Sequence, residues 1–232
     1  MRPVNAAELL DTWEAGGQHG PLRRGLALLS TAYGTSPEAA AELSVGQRDR
    51  ALFAFRAALF GTSVEAVSCC PGCGTEVELA FDQRDLLAHT GPLESDHAVV
   101  VRENGREVRV RMPTSVDLAA VLDADLPDPA AGLVRRCVPA GEPVPCGEAV
   151  AEAWMSADPL LELRIAVACP ECALGWQEPF DIIGFLWAEL DAWGRRVLLE
   201  VHELARAYGW TQAQILELSP WRRQCYLGLV GA

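Results

Sequence analysis

Apolar side chains recur every three or four residues through the first third of the chain, a pattern that predicts amphipathic helices. A first helix is expected around Trp13 and a second over about residues 21 to 33. A third begins at Ser44, because Ser44-Val45-Gly46-Gln47 is a capping box in which serine and glutamine satisfy orphan backbone N–H groups. The apolar positions expected to pack in a core are Leu9, Leu10, Trp13, Leu22, Leu26, Leu29, Leu52, Phe55 and Leu59.

Helical periodicity returns near the C-terminus, where one long stripe predicts a helix that ends before Gly209, a residue suited to the left-handed position after a helix. Thr211 opens a second capping box, and Ser219-Pro220 begins a last helix. We expect the stripe to pack in the core. The exposed part of the C-terminal helices, over residues 208 to 226, is the candidate surface for contact with a partner, although core packing is the first expectation for its aromatic residues too. The stripe consists of Leu186, Leu190, Trp193, Val197, Val201, Leu204 and Tyr208, and the aromatic candidates for contact are Trp210, Trp221 and Tyr226.

The middle of the chain changes to a period of two, which is typical of strands. Residues 67 to 81 predict strands around a cysteine turn, and residues 97 to 112 predict a hairpin with Asn104-Gly105 as its turn. Thr114 is expected to cap a short helix, with Asp117 in its first turn. The arginines near the hairpin are read as a solvated strand face rather than as a site for an acidic partner. They are Arg102, Arg106, Arg109 and Arg111.

Residues 127 to 145 are rich in Pro, Gly and Ala and are expected to form a loop or an inserted segment. The predicted fold is α+β and mainly helical, with helices flanking a zinc-ribbon-like unit and a β-hairpin. Three parts are expected: helices over residues 1–66, the cysteine turns, hairpin and inserted loop over 67–185, and C-terminal helices over 186–232. We expect them to form one integrated domain.

The negative net charge of the chain limits the classes of binding partner that are expected. The formal net charge of the 232-residue chain is −13, whereas nucleic-acid binding needs a basic surface that neutralises phosphates. Nucleic acid and anionic membranes are therefore not expected partners. The N-terminus has no apolar run of the signal-peptide type, and no stretch approaches the length of a membrane span. A cytoplasmic location is expected, where paired cysteines indicate a metal more often than a disulfide.

The strongest chemical signal lies in two copies of a Cys-Pro-x-Cys motif, Cys70 to Cys73 and Cys169 to Cys172. Two residues between the sulfurs let a tight turn aim both thiolates at one tetrahedral ion, and two such turns complete a closed shell of four. The sequence therefore predicts a structural Zn²⁺ site. Its predicted ligands are Cys70, Cys73, Cys169 and Cys172.

The two motifs belong to longer segments that match without gaps at an offset of 99 residues, so that Phe81-Asp82 meets Phe180-Asp181. Each copy follows the same order of strand, cysteine turn, strand, Phe-Asp and helix. The alignment favours Cys70 over its neighbour Cys69 as the ligand. The remaining cysteines have other expected roles: Cys137 and Cys146 as buried residues or loop thiols, with a second site or an extra ligand as alternatives, and Cys225 as a packing residue of the last helix.

No catalytic motif accompanies the cysteines. The chain lacks a phosphate-binding loop, a dinucleotide fingerprint, a nucleophile elbow and a two-histidine protease motif. Four thiolates also leave no open position for a catalytic water. We expect a protein that is not an enzyme. The alternatives are a zinc ribbon that binds nucleic acid or protein, a redox protein that uses its CxxC pairs, and an enzyme whose site is assembled from distant residues.

A series of short segments in the C-terminal third forms a recognisable pattern, together with Leu43-Ser44-Val45-Gly46-Gln47-Arg48-Asp49 and the first cysteine turn. The C-terminal segments are Cys169-Pro170-Glu171-Cys172, Trp176, Phe180-Asp181, Phe185-Leu186-Trp187, residues 198–205, Tyr208-Gly209-Trp210-Thr211, residues 215–219 and Arg222-Arg223. This pattern is similar to the T-even-type baseplate hub assembly protein family of contractile phage tails and phage-tail-like injection particles. Residues 136–150 and the first 20 residues do not clearly match.

The resemblance implies a non-enzymatic role in building a baseplate, as an assembly factor or as a minor structural component. It implies other baseplate or tail proteins as partners and incorporation into the assembled particle as one outcome. No active site comes with the shared segments. The second cysteine turn departs from the first at one place, since Ala173 stands where the first has Gly74. That difference bears on the geometry of the turn rather than on the thiolates.

Overall fold

The structure is a computed structural model that describes residues 1–88, 98–103 and 105–230. This part of the chain is mainly helical and contains three two-stranded antiparallel hairpins. The helices are α1 (Ala6–Gly16), α2 (Pro21–Tyr33), α3 (Pro37–Ala41), α4 (Val45–Phe60), α5 (Gln83–Ala88), α6 (Ser115–Asp123), α7 (Pro129–Cys137), α8 (Gly147–Ala157), α9 (Ile182–Tyr208), α10 (Gln212–Glu217) and α11 (Pro220–Val230), with a 3-10 turn at Pro159–Glu162. The strands are β1 (Ser63–Cys69), β2 (Glu76–Asp82), β3 (Ala98–Glu103), β4 (Arg106–Arg111), β5 (Arg164–Ala168) and β6 (Gly175–Pro179).

The chain divides into two compact units, and the first of them joins the two ends of the sequence. One unit comprises Met1–Thr35 with Ile183–Ala232, and the other comprises Ser36–Ile182. Within the described residues, no helix combines the length and the apolar character needed to cross a membrane.

The unit formed by the chain ends is helical and confirms most of the predicted apolar stripes. Its fully buried leucines come from α2 and α9, as the spacing of three and four residues predicts. Gly209 has the expected left-handed backbone, with a φ of 68°. Thr211 forms the predicted capping box with Gln214. The most buried members of this core are Leu9, Leu10, Leu28, Leu29, Leu186, Leu190, Val197, Leu204 and Ile215.

Aromatic residues at the C-terminal end of this unit have two different environments. Tyr208 stacks on Trp210 with ring centroids 4.6 Å apart, and Tyr226 packs edge-on against both rings. Trp221 packs into no core and is 76% exposed. Tyr208 is also exposed, whereas Trp210 and Tyr226 are half-buried, so none of these four aromatic residues belongs to the buried core. Cys225 is also exposed, so its prediction as a packing residue is wrong.

The second unit begins with α3 and α4, and α4 starts with the predicted capping box: Gln47 N–H donates to Ser44 Oγ, and Ser44 N–H donates to Gln47 Oε1. Leu52 and Phe55 are buried as predicted. Arg56 is unexpected, since it lies on the same helix and is only 1% exposed. A buried guanidinium must be satisfied by hydrogen bonds, and those of Arg56 hold the base of the first cysteine hairpin.

The predicted β3–β4 hairpin is present, and Gly105 has a φ of 77°. Its partner in the predicted turn, Asn104, lies outside the described residues. The inward side of the hairpin packs on α7 and α8 in one core cluster. The buried residues of this cluster are Val101, Val108, Val110, Met112, Val134, Cys137, Val138, Val150 and Trp154.

The expectation of a loop over residues 127 to 145 is wrong, because α7 (Pro129–Cys137) lies within it. Asp128 caps this helix by accepting from the Ala131 backbone N–H, and Pro129 occupies the first turn, where its missing N–H costs nothing. Val134 and Cys137 then bury its inner face. The high content of Pro, Gly and Ala led to the prediction of a loop, but the cap and the packing of the inner face stabilise a short helix.

Asp117, in the first turn of α6, has a buried carboxylate that connects several elements through hydrogen bonds. Its carboxylate is 1% exposed and accepts from both Nη atoms of Arg111, from Arg136 Nε and from the Thr114 backbone N–H. Burial raises the pKa of this carboxyl, but the Arg111 guanidinium and the Thr114 backbone outweigh it and lower the pKa to about 2. The predicted strand-face arginine Arg111 thus ties the end of β4 to α6 and α7.

Candidate metal centre

Two hairpins of the same construction bring the two Cys-Pro-x-Cys motifs together. In the first, Val67 pairs with Glu78 and Cys69 with Glu76. In the second, Ala166 pairs with Gln177 and Ala168 with Gly175, which is the same register moved by 99 residues. Helices α5 and α9 also begin at the same offset. The repeat found in the sequence is therefore a repeat of backbone structure.

The four predicted ligands form one cluster whose sulfur atoms all lie within 4.8 Å of one another. Cys70 Sγ lies 3.6 Å from Cys172 Sγ, and Cys73 Sγ lies 3.6 Å from Cys169 Sγ. Both contacts join the first cysteine of one turn to the second cysteine of the other, so the cluster has approximate twofold symmetry. A tetrahedral ion with metal–sulfur bonds of about 2.3 Å places its sulfurs about 3.8 Å apart. This donor set and spacing fit a thiophilic ion, whereas a disulfide needs about 2.05 Å.

Backbone hydrogen bonds close each turn in the same way. In the first turn, Cys70 N–H donates to Thr75 O and Gly74 N–H donates to Cys70 O, each at 2.9 Å. In the second turn, Cys169 N–H donates to Leu174 O at 2.9 Å and Ala173 N–H donates to Cys169 O at 3.0 Å. The residue after each second cysteine is left-handed, with a φ of 75° at Gly74 and 58° at Ala173. The two turns thus share their hydrogen bonds and their left-handed residue, but the second has an alanine where glycine is favoured.

Exposure follows the same symmetry. The first cysteine of each turn is buried, with Cys70 3% and Cys169 2% exposed, whereas Cys73 and Cys172 are exposed. The cluster thus has a protein side and a solvent side. The Gly72 backbone N–H also donates to Cys70 Sγ at 3.4 Å, a contact that stabilises a thiolate.

The thiols influence one another's ionisation. Hydrogen bonds between Cys73 and the side chain and backbone of Thr75, together with those to Cys169 and Cys172, lower the pKa of Cys73 to about 6. For Cys172, the largest influence is a hydrogen bond from the Leu174 backbone that lowers the pKa, but the neighbouring sulfurs together raise it to about 12. Ionisation of Cys73 is therefore favoured and ionisation of Cys172 is opposed, because negative charges so close together repel. A divalent cation would neutralise that repulsion and hold all four as thiolates.

The two hairpins contact each other beyond the cysteines. Ser68 Oγ of the first hairpin donates to Glu178 Oε2 of the second at 2.6 Å, and Trp176 Nε1 donates to the same oxygen at 2.8 Å. These two bonds lower the pKa of Glu178. Val77 and Val167 are buried beside Cys70 and Cys169 in one small core cluster. This contact orients the hairpins so that the thiols meet.

Aromatic and polar groups fix the bases of the hairpins. The repeat-equivalent rings of Phe81 and Phe180 meet edge-on at 5.8 Å, and Phe180 stacks on Phe53 of α4 at 6.0 Å. Arg56 donates from Nη2 to Ser63 O at the start of β1 and from Nη1 to Gln83 Oε1. These anchors attach the hairpins to α4.

Sequence reasoning found the cysteines but missed their supports. Spacing alone identified the four thiols, whereas Arg56, Thr75 and Glu178 carry no motif and act through distant contacts. The Phe-Asp match at the offset of 99 residues was the one signal that pointed to the hairpin bases. Of the other cysteines, Cys137 is 2% exposed and packs in the core, as predicted, and Cys146 is exposed just before α8. Among the described residues, the four-thiol cluster is the single group suited to hold a metal ion.

Comparisons of the chain with protein-family models, with curated proteins and with solved structures gave no match.

Proposed function

We propose that this chain is a non-enzymatic baseplate component or baseplate hub assembly factor of a contractile, phage-tail-like particle, stabilised by one Zn²⁺ in a zinc-ribbon-like arrangement. The observation that carries the metal part is the cluster of four cysteine sulfurs within 4.8 Å. The resemblance of its sequence segments to the baseplate hub assembly family supports the role in assembly.

The proposed ion is structural rather than catalytic. Four thiolates saturate a tetrahedral ion and leave no position for a water or substrate. A tetrahedral set of four sulfurs suits zinc or iron, and elemental analysis separates the two. The ion would join two hairpins whose first cysteines, Cys70 and Cys169, are 99 residues apart in sequence.

The energetic consequence of this clamp is large. Structural zinc in small domains contributes about 10–16 kcal/mol of apparent binding free energy, which rivals the whole stability of a typical domain. Each hairpin has only two strands, and a two-stranded hairpin is marginal by itself in water. The folded form of both hairpins should therefore depend on the metal.

The metal part is tested by purifying the protein without added metal and measuring metals by elemental analysis. We expect about one zinc per chain. Cys70→Ser and Cys172→Ser should lose the ion and unfold the hairpins, whereas Cys225→Ser, which changes an exposed thiol far from the cluster in sequence, should retain it. A wild-type protein that is folded and free of zinc would refute the clamp. In that case the CxxC redox alternative, tested by thiol titration, becomes the better explanation.

The assembly role is tested in the producing cell. Deleting the gene should leave sheath and tube proteins present but unassembled, as judged by electron microscopy of particle preparations. Complementation with Cys225→Ser should restore particles, and complementation with Cys172→Ser should not. Normal particles from the deletion strain would contradict the assembly role, while leaving the zinc clamp to be judged by metal content.

A further inference from the structure

The last helix, α11, carries an exposed seam in the unit formed by the chain ends. Trp221, Cys225 and Gly228 follow one another at steps of four and three residues, so they share one face of the helix, with Leu229 beside them. These four residues, which we call the α11 seam, are all exposed. Trp221 is 76% and Leu229 67% exposed. Large apolar side chains grouped on one exposed face are typical of an interaction site.

The opposite side of α11 is fixed to its own unit. Arg223 is 3% exposed; its Nε donates to Glu200 Oε2 and its Nη1 donates to Leu218 O, both at 2.9 Å. The ring of Tyr226 packs edge-on against Tyr208 and Trp210. These contacts determine which side of the helix is inward, so the α11 seam remains at the surface of the folded unit.

The shape of the α11 seam is complementary to itself. Trp221 projects from one end, whereas a Cβ atom added to Gly228 at the other end would meet no atom within 4 Å. The two positions are about 10 Å apart along the helix, with Cys225 close to their midpoint. In an antiparallel pair related by a twofold axis, each residue exchanges places with its counterpart across that midpoint. Such a pair sets Trp221 of each copy over Gly228 of the other.

The charge of α11 also favours a second copy over a charged partner. The helix contains no Asp or Glu; the nearest acidic residue before it, Glu217, belongs to α10. Arg223 is paired with Glu200, so Arg222 is the one exposed arginine of the helix. Copies of a chain with a net charge of −13 repel one another, and their contact therefore needs a face without carboxylates. Nucleic acid or an acidic protein would find a single exposed cation there.

We propose that the α11 seam binds the same seam of a second copy of this chain in an antiparallel, twofold-symmetric pair, with the two Cys225 thiols near the axis. An 11-residue helix is about 16 Å long, so α11 alone buries less than the roughly 800 Å² per partner of a standard interface. The pair is therefore weak and depends on concentration. The inference goes beyond the proposed assembly role, and it does not depend on the metal, because the clustered cysteines belong to the other unit.

Self-association is tested on the zinc-loaded full chain by sedimentation velocity over a series of concentrations. We expect a monomer–dimer equilibrium that dissociates on dilution, with a dissociation constant on the order of 10–100 µM. Trp221→Ala should weaken it at least tenfold, because tryptophan is the residue type most enriched among energetically dominant contacts. A wild-type protein that remains a monomer up to about 1 mM would overturn the proposal.

A second variant and a matched control locate the contact. Gly228→Gln fills the gap that Trp221 of the other copy would occupy, and it should also weaken dimerisation at least tenfold. The monomer tolerates this change, because the space is open and glutamine is a better helix former than glycine. Leu122→Ala removes a leucine that is 70% exposed on α6 and should dimerise like the wild type. Unchanged dimerisation in both Trp221→Ala and Gly228→Gln would place the contact elsewhere and reject the α11 seam.

Cys225 reports the geometry of the pair directly. A short bis-maleimide added to the zinc-loaded dimer should join Cys225 of one copy to Cys225 of the other, as identified by mass spectrometry. The same linkage should be largely lost in Trp221→Ala, which keeps the thiol but weakens the pair. Cys69 and Cys146 are exposed as well and serve as internal controls. Cross-linking mainly through either of them, or equal cross-linking of Cys225 in Trp221→Ala, would contradict the proposed arrangement.

Discussion

At the scale of single residues, the two cysteine turns differ most at the position after the second cysteine. Gly74 and Ala173 both have a positive φ and both close the turn with the same backbone hydrogen bond. Glycine adopts this conformation freely, whereas a residue with a Cβ atom pays about 1–2 kcal/mol. The second turn therefore holds its thiols at a conformational cost that the first does not carry.

Removing that cost should stabilise the protein. Ala173→Gly should raise the free energy of unfolding by about 0.5–1 kcal/mol, because relief of the left-handed alanine exceeds the added freedom of glycine in the unfolded chain. The reciprocal change, Gly74→Ala, should lower it by a similar amount. Chemical denaturation of both variants at equal zinc loading measures the two effects. Changes of the same sign in the two variants would contradict the expectation.

Asp117 makes stability depend on acid pH. Its folded pKa of about 2 is below the ordinary value of about 3.9, so the ionised form stabilises the fold. This contribution, about 2 kcal/mol, is fully present above about pH 4 and is lost as the pH falls towards 2. Asp117→Asn should destabilise the protein at pH 6, and the difference from the wild type should shrink below pH 4. Denaturation curves at several pH values test this; a difference that stays constant down to pH 2 would assign the effect to packing.

At the scale of elements, the sequence predicted best those features that depend only on residues close together in the chain. The capping boxes at Ser44 and Thr211 formed as predicted, because each depends on residues three positions apart. Helix α7 was missed because Gly and Pro dominated the interpretation of its sequence, although Asp128-Pro129 is a sound helix start. The exposure of Cys225 could not be read from its helix alone, because the side that α11 buries depends on tertiary contacts, including the buried pair of Arg223 with Glu200.

The cap of α7 offers a direct test of why that helix forms. Asp128→Ala should cost about 1 kcal/mol, since it leaves the Ala131 backbone N–H without its acceptor. Asp128→Asn should cost only a small part of this, because asparagine also caps well. Thermal denaturation compares the two variants. Equal losses in both would show that the charge of Asp128, rather than its cap, supports the helix.

At the scale of the whole molecule, the candidate site was easier to predict than its surroundings. Four cysteines at matching spacing indicate a possible metal site in any fold that brings them together, so the cluster could be predicted without knowing that fold. The ring contact of Phe81 with Phe180 and the buried Arg56 depend on long-range packing, which local patterns do not encode. The association of residues 1–35 with residues 183–232 in one unit also depends on long-range packing and could not be predicted from local patterns.

The two units should respond differently to loss of the metal. The unit of residues 1–35 and 183–232 has its own buried core and none of the four clustered cysteines. Chelation should therefore release the amide protection of β1, β2, β5 and β6 first, while α2 and the central part of α9 stay protected. Hydrogen exchange followed by mass spectrometry, with and without chelator, distinguishes the segments. Simultaneous loss in both units would show that the metal controls the whole chain, and unchanged hairpins would contradict the clamp.

The spacing of the two cysteine turns also has a consequence in time. A ribosome adds about 5–20 residues per second, so Cys169 follows Cys70 by roughly 5–20 s during synthesis. Throughout that interval the first turn supplies only two of the four proposed ligands, Cys70 and Cys73. Folding of the unit Ser36–Ile182 around the proposed ion must wait until the second turn leaves the ribosome exit tunnel. The nascent chain thus passes through a period in which its first pair of thiols is open to oxidation or to the wrong metal.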